Sequence, residues 1–156
     1  MSDWKVRAAG ADDVQAIEAL VQNAYSKYID RIGKPPAPMT ADYGRLVDEG
    51  DVWVLDLDGD VIGLIILKSA TDHLHLSNVA VSPAHQGRGL GSKLLAYAET
   101  QARQRGFREM RLFTNELMQE NLVVYGKLGW QEYDRSEQDG FCRVFMKKEL
   151  GDTPPA

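Results

Sequence analysis

Val79-Ala80-Val81-Ser82-Pro83-Ala84-His85-Gln86-Gly87-Arg88-Gly89-Leu90-Gly91-Ser92-Lys93-Leu94-Leu95 joins an apolar strand to an amphipathic helix through a turn with glycine at alternate positions. Glycines let backbone N–H groups converge with no Cβ in the way, and a helix N-terminus brings the positive end of its dipole to the same place. Such a turn is built to hold phosphate. Arg88 adds charge there, and Lys93 follows one turn on. A P-loop needs four residues between its glycines and then Lys before Ser or Thr, whereas Gly87 and Gly91 enclose three and Ser92-Lys93 runs in the reverse order. A dinucleotide fingerprint needs G-x-G-x-x-G and an acidic residue ending the next strand; here the glycines run G-x-G-x-G, and Arg111-Leu112-Phe113-Thr114 brings no carboxylate.

Gln86-x-x-Gly89-x-Gly91 after Val79-Ala80-Val81 resembles the acetyl-CoA signature of the GCN5-related N-acetyltransferases, the GNAT family. Asn121-Leu122-Val123-Val124-Tyr125-Gly126-Lys127-Leu128-Gly129-Trp130 is similar to that family's second motif, a helix carrying Asn and Tyr and closed by Gly and an aromatic residue. The two fall in family order at family distance. The resemblance covers roughly residues 4 to 149, a domain of the usual size. It implies an α/β (α+β) fold with a mixed, mostly antiparallel central sheet of roughly six to seven strands flanked by about four helices. A single domain is expected over residues 1–150, with a frayed tail at 151–156.

Composition agrees with that size. A chain of 156 residues buries enough surface to fold without disulfides, and its one cysteine, Cys142, has no partner in the chain. The opening Met1-Ser2-Asp3-Trp4-Lys5 carries no apolar signal core and no run approaches a membrane span, so a reducing cytoplasm is the expected compartment. With 23 acidic against 18 basic residues, a net charge of −5 disfavours a nucleic-acid footprint and mildly favours cationic substrates.

Lys5 to Ala8 reads as a first strand, and Asp12 or Asp13 offers an N-cap to a helix with Val14, Ile17, Val21, Ala24, Tyr25 and Tyr28 on one face. Pro35, Pro36 and Pro38 forbid its continuation, and a short helix follows near Asp42 to Asp48. Asp58-Gly59 between two apolar runs signals a hairpin. Strands are expected at Leu74 to Val81, Arg111 to Phe113, Glu132 to Arg135 and Arg143 to Lys148. Helices are expected from Gly91 to about Arg105 and from Leu117 to Leu128, the second with Asn121 and Tyr125 on one face and Val124 and Leu128 toward the core.

The resemblance assigns roles. Backbone at Val79, Ala80 and Val81 would pair with the pantetheine arm, and the turn of Gln86, Gly87, Arg88, Gly89, Leu90, Gly91 and Ser92 would hold the pyrophosphate of acetyl-CoA, with Asn121 and Lys127 as further cofactor contacts. Asn115 is the alternative to Asn121, because many relatives space Asn and Tyr further apart. Tyr125 stands where the family places its general acid. A phenol near pKa 10 protonating a thiolate near 8.5 moves uphill by roughly 2 kcal/mol, so a strong hydrogen bond can serve as well as full transfer.

A base is needed because an ammonium near pKa 10.4 is only about one part in two thousand neutral at pH 7. His75 lies where histone acetyltransferases of the family carry a glutamate; ordered water is the alternative base. His73 and His75 share a strand face but no third ligand lies at metal spacing, so no metal is expected. Cys142 has no adjacent base, which favours direct attack in a ternary complex over an acyl-cysteine.

The implied activity is acetyl-CoA-dependent N-acetyl transfer to a primary amine of a small molecule or peptide. Its acceptor would enter beside Tyr25, Tyr28, Arg31, Lys34, Met39 and the turn from Glu137 to Phe141, although Tyr25 and Tyr28 have the spacing of plain core residues. A non-catalytic acyl-CoA-binding or regulatory domain is the alternative. No nucleic acid or membrane partner is expected, and the resemblance allows a homodimer through the later strands.

Overall fold

The structure, a computed structural model, describes residues 4–86, 88–138 and 140–150, with Ala37 described by its backbone alone. The glycine-turn residue Gly87, Asp139 of the last turn and the tail at 151–156 lie outside the described residues. Among the described residues, β1 (Trp4–Ala8), β2 (Val52–Leu57), β3 (Asp60–Ser69), β4 (Leu74–Val81), β5 (Glu109–Asn115), β6 (Gln131–Gln138) and β7 (Phe141–Glu149) form a seven-stranded sheet in the order β1-β2-β3-β4-β5-β7-β6. The pairing is antiparallel at β1·β2, β2·β3, β5·β7 and β6·β7, and parallel at β4·β5. Five helices accompany it: α1 (Val14–Tyr25), α2 (Tyr28–Ile32), α3 (Tyr43–Asp48), α4 (Leu90–Gln104) and α5 (Gln119–Lys127). The mixed α/β architecture is the expected one, and the extra helix arises because Tyr28 starts a separate short helix instead of extending α1.

The chain divides into two compact units, Met1–Leu67 with Asn78–Ala98, and Lys68–Ser77 with Glu99–Ala156. In the first, the β2–β3 hairpin turns at Asp58 (φ 52°) and Gly59 (φ 94°), both left-handed as a tight two-residue hairpin requires. Asp56 accepts from Gly59 N at 2.7 Å and from Arg7 Nε at 2.9 Å. The other two Arg7 nitrogens grip Asp13 at 2.8 and 2.9 Å, so one guanidinium ties β1 to the hairpin and to the start of α1. Asp13 therefore does not cap α1 through its side chain; a 3-10 turn at Ala11–Asp13 precedes the helix, and the carboxylate bonds back to Gly10 N at 2.8 Å. Ile17 and Val21 of α1 and Leu94 of α4 are fully enclosed, each worth about 1.5–3 kcal/mol of burial.

In the second unit, β4 and β5 pair in parallel from Leu74↔Met110 to Leu76↔Leu112. Leu74, Met110, Leu112, Val144 and Met146 are buried, and Ala102 of α4 is fully enclosed. Gly106 (φ 85°) closes α4, and Phe107 N returns to Ala102 O at 2.8 Å, as in a glycine-terminated helix end. Lys148 pairs with Glu99 at 2.9 Å, tying β7 to the end of α4. Helix α5 differs from expectation in its buried face. Val124 is 48% exposed while Tyr125 is buried, because the ring of Tyr125 meets Trp130 at 5.8 Å and Trp130 N bonds to Tyr125 O at 3.0 Å. Closing the helix on that pair turns Val123 and Val124 outward.

Candidate functional site

The candidate residues fall on both units: Val79 to Ser92 on the first, and His75, Asn121, Tyr125 and Lys127 on the second. On the first unit, β4 alternates strictly, with Asn78 and Ala80 buried and Val79 and Val81 half-buried. A 3-10 turn at Pro83–His85 leads out of the strand. Gln86 then turns its side-chain amide back onto the Val81 carbonyl at 3.1 Å, securing the strand end beneath the turn. Gly89 is left-handed at φ 75°, and Lys93 N bonds to Gly89 O at 3.2 Å as α4 begins. Arg88 and Ser92 are exposed, whereas Leu90 is buried and anchors the first turn of the helix. Lys93 lies over the Trp4 ring at 5.2 Å.

The glycines test what the turn is for. Among the described residues, a Cβ built at Gly89 or Gly91 meets no atom from outside its own stretch of chain within 4 Å, so packing there does not demand glycine at either position. Gly89 is explained by its left-handed backbone. Gly91 is not, and open space in front of helix-start amides fits the close approach of a phosphate group. Gly63 is a different case. A Cβ there would stand 3.1 Å from the Ala80 carbonyl and 3.3 Å from Leu55 and Leu94, so this glycine lets β3 press against the strand end that carries the turn.

Behind that strand end lies a polar cluster that residue spacing did not announce. Tyr25 Oη is 2.5 Å from Asn78 Oδ1 and 3.1 Å from the Val79 carbonyl. Asn78 Nδ2 donates to Tyr43 Oη at 3.3 Å, and the Tyr43 hydroxyl donates to the Pro38 carbonyl. Burial pushes the Tyr43 phenol up to about 12. Tyr25 and Tyr28 are both buried, the Tyr28 ring being flanked by Lys27 at 5.0 Å and Arg31 at 5.1 Å. Both pack as core residues. The one sequence signal for Asn78 was an amide at a buried position of an alternating strand.

On the second unit, Tyr125 is buried against Trp130. Asn121 Nδ2 reaches the sulfur of Met118 at 3.7 Å, and Asn115 Oδ1 accepts from Leu117 N at 2.9 Å in a turn that launches α5. Lys127 is exposed in the last turn of α5. His75 stacks on Phe113 at 5.5 Å and meets His73 at 6.4 Å. Burial first, then the neighbouring His73 and Lys68, lower its imidazole to about 4. The ring is therefore neutral near pH 7, free to accept a hydrogen bond and weaker as a proton store than an ordinary histidine. The Cys142 thiol is pushed up, chiefly by its hydrogen bond to Glu116, which makes it a poor nucleophile. Among the described residues no group of three or more His, Cys, Asp or Glu is placed to hold a metal ion, and no helix is long and apolar enough to cross a membrane.

Residues 15–130 match the acetyltransferase (GNAT) family. The chain belongs to the GNAT family. Within it, the chain is 33% identical over 105 residues to YjgM of Escherichia coli, an uncharacterized N-acetyltransferase, a match covering 63% of each. It is 25% identical over 127 residues to N-acetyltransferase 8 of Mus musculus, covering 77% of this chain and 56% of that one. The chain thus spans less than two thirds of the length of these relatives. In fold, this GNAT chain superimposes on the PaiA N-acetyltransferase of Thermoplasma acidophilum, solved in complex with coenzyme A, with a TM-score of 0.74 at 17% identity, over 94% of this chain and 99% of that one.

Proposed function

We propose that this GNAT chain is an acetyl-CoA-dependent N-acetyltransferase that acylates a primary amine of a small molecule or peptide by direct attack. The observation that carries the reading is the glycine turn, with Gly91 near the start of α4 facing space that no side chain among the described residues fills. The family match over residues 15–130 supports the same cofactor. When bound, acetyl-CoA supplies the thioester carbonyl that the amine attacks. Helix-start amides at Gly89 to Ser92 and the Arg88 guanidinium would hold the pyrophosphate, and backbone of Val79 and Val81 would align the pantetheine arm.

Two side chains would move or hold protons. Tyr125 would direct its hydroxyl to the leaving sulfur, giving a hydrogen bond or the proton itself. His75, neutral at working pH, would accept from the attacking amine and fix its lone pair, while water carries the released proton away. Direct attack is favoured because Cys142, the chain's one thiol, is disfavoured as a thiolate. The reading is tested by following thiol release from acetyl-CoA over a panel of amines, with coenzyme A binding measured by calorimetry. Amine-dependent release is expected; no binding and no release would overturn it.

A further inference from the structure

The second unit carries a second cluster of aromatic and charged side chains around His75. Residues of β4, β5 and β7 align across one face as His75↔Arg111, Arg111↔Lys147, Phe113↔Phe145 and Asn115↔Arg143. Rings run along it without a break: His75 to Phe113 at 5.5 Å, Phe113 to Phe145 at 5.8 Å, and Phe145 to Tyr133 at 6.2 Å. Phe113 and Phe145 are half-buried and Tyr133 is 44% exposed, so the ring system is open to solvent.

Arg143 lies over this floor, its Cζ 4.5 Å from the centre of the Phe113 ring and 5.9 Å from that of Phe141. Its Nη1 donates to Gln138 Oε1 at 3.1 Å. Among the described residues no carboxylate pairs with it. The neighbouring arginines differ: Arg111 is held by Glu109, and Arg135 by Glu132 and Glu116. A guanidinium held over a ring, with donors to spare and no carboxylate partner among the described residues, is suited to bidentate binding of a carboxylate. Phe113 touches both Arg143 and His75, so imidazole and guanidinium stand within the length of one small molecule. Arg143, with no carboxylate partner among the described residues, runs against the net charge of −5, which by itself mildly favours cationic acceptors.

We propose that the acceptor is an amino acid-like molecule carrying a carboxylate and an aromatic or bulky apolar group: Arg143 takes the carboxylate, the Phe113 and Phe145 rings take the apolar group, and the amine faces His75. The proposal rests on the acetyltransferase reading above and deepens it.

The test compares kcat/KM for matched pairs, L-phenylalanine against 2-phenylethylamine and L-leucine against isopentylamine, in the wild type, Arg143→Gln and Arg143→Lys. Each amino acid should exceed its decarboxylated amine by about tenfold or more in the wild type, as expected for a charge-assisted bond. The preference should fall close to unity in Arg143→Gln and to an intermediate value in Arg143→Lys, which keeps the charge and loses the planar fork. Should Arg143→Gln fail to fold, Arg143→Lys carries the comparison alone. Equal rates within the pairs, or an unchanged preference in a folded Arg143 variant, would overturn the proposal. So would absence of turnover on every carboxylated acceptor while coenzyme A still binds, an outcome that leaves the cofactor reading standing; loss of coenzyme A binding as well would sink that reading too.

Discussion

Tyr25 on α1 bonds through its hydroxyl to the buried carboxamide of Asn78 on β4 at 2.5 Å, and the same oxygen lies 3.1 Å from the Val79 carbonyl. A helix side chain thus fixes the strand end from which the glycine turn departs. Removing the hydroxyl leaves Asn78 Oδ1 buried without this donor. Tyr25→Phe should cost about 1–3 kcal/mol in urea unfolding. In a double-mutant cycle with Asn78→Ala, the two losses should be less than additive. Strict additivity would mean the bond does not contribute.

Gly63 presses against the same strand. Its missing Cβ would stand 3.1 Å from the Ala80 carbonyl, a backbone atom that cannot swing aside, with Leu55 and Leu94 at 3.3 Å. Gly63→Val should destabilise by roughly 1–3 kcal/mol, the range for overpacking a filled core. Wild-type stability in denaturant titration would show that β3 and β4 can separate freely.

Gly91 separates folding from binding. Its Cβ meets nothing, and alanine is the better helix former by up to about 1 kcal/mol. Gly91→Ala should therefore unfold no earlier than the wild type, yet bind coenzyme A at least about tenfold more weakly, as the added methyl stands where phosphate approaches. Gly89→Val is the blunter test, because its left-handed φ of 75° adds backbone strain to any effect on binding. Unchanged affinity in Gly91→Ala would mean that the turn does not hold phosphate.

His75 sets a pH dependence with a definite sign. Its folded value of about 4 lies below the ordinary value of 6.5, so the unfolded chain takes up its proton first. Stability from this group is complete above 6.5 and is lost as pH falls from 6.5 to 4. Thermal unfolding of His75→Phe should show a shallower loss in that window. For turnover, kcat/KM should rise with pH toward the pKa of the amine and show no acid limb near 6.5. A limb there that disappears in His75→Phe would restore His75 as a conventional base.

The sheet and its main helices were legible because their signals are local. Asp58-Gly59 dictates a hairpin, the glycine turn dictates a strand followed by a helix, and α1 declares its buried face through Ile17, Val21 and Ala24. Structure and sequence expectation differ where a long-range contact decides. Of Asp12 and Asp13, the two N-cap candidates, Asp13 takes the position, but its carboxylate goes to Arg7 of β1, a partner that local sequence does not reveal. Helical spacing places Val124 in the core, but Trp130, beyond the helix, selects the face that α5 buries and leaves Val124 exposed. The site divides similarly. The glycine turn is a sequence motif, whereas Asn78 and Arg143 are placed by partners on other elements, Tyr25 and Tyr43 for the first and Phe113 for the second.

Tyr125 is the residue for which a chemical role is proposed. Tyr125→Phe keeps the ring against Trp130 and removes only the hydroxyl. It should lower kcat while leaving coenzyme A affinity within a few fold. An unchanged kcat would remove Tyr125 from the reaction.

The central claim is acyl transfer by direct attack on bound acetyl-CoA. Initial rates of thiol release, with acetyl-CoA and a responsive amine varied together, test it most directly. Intersecting reciprocal plots, with release dependent on the amine, are the predicted result. Release independent of every amine, or parallel plots signalling an acyl-enzyme, would contradict it.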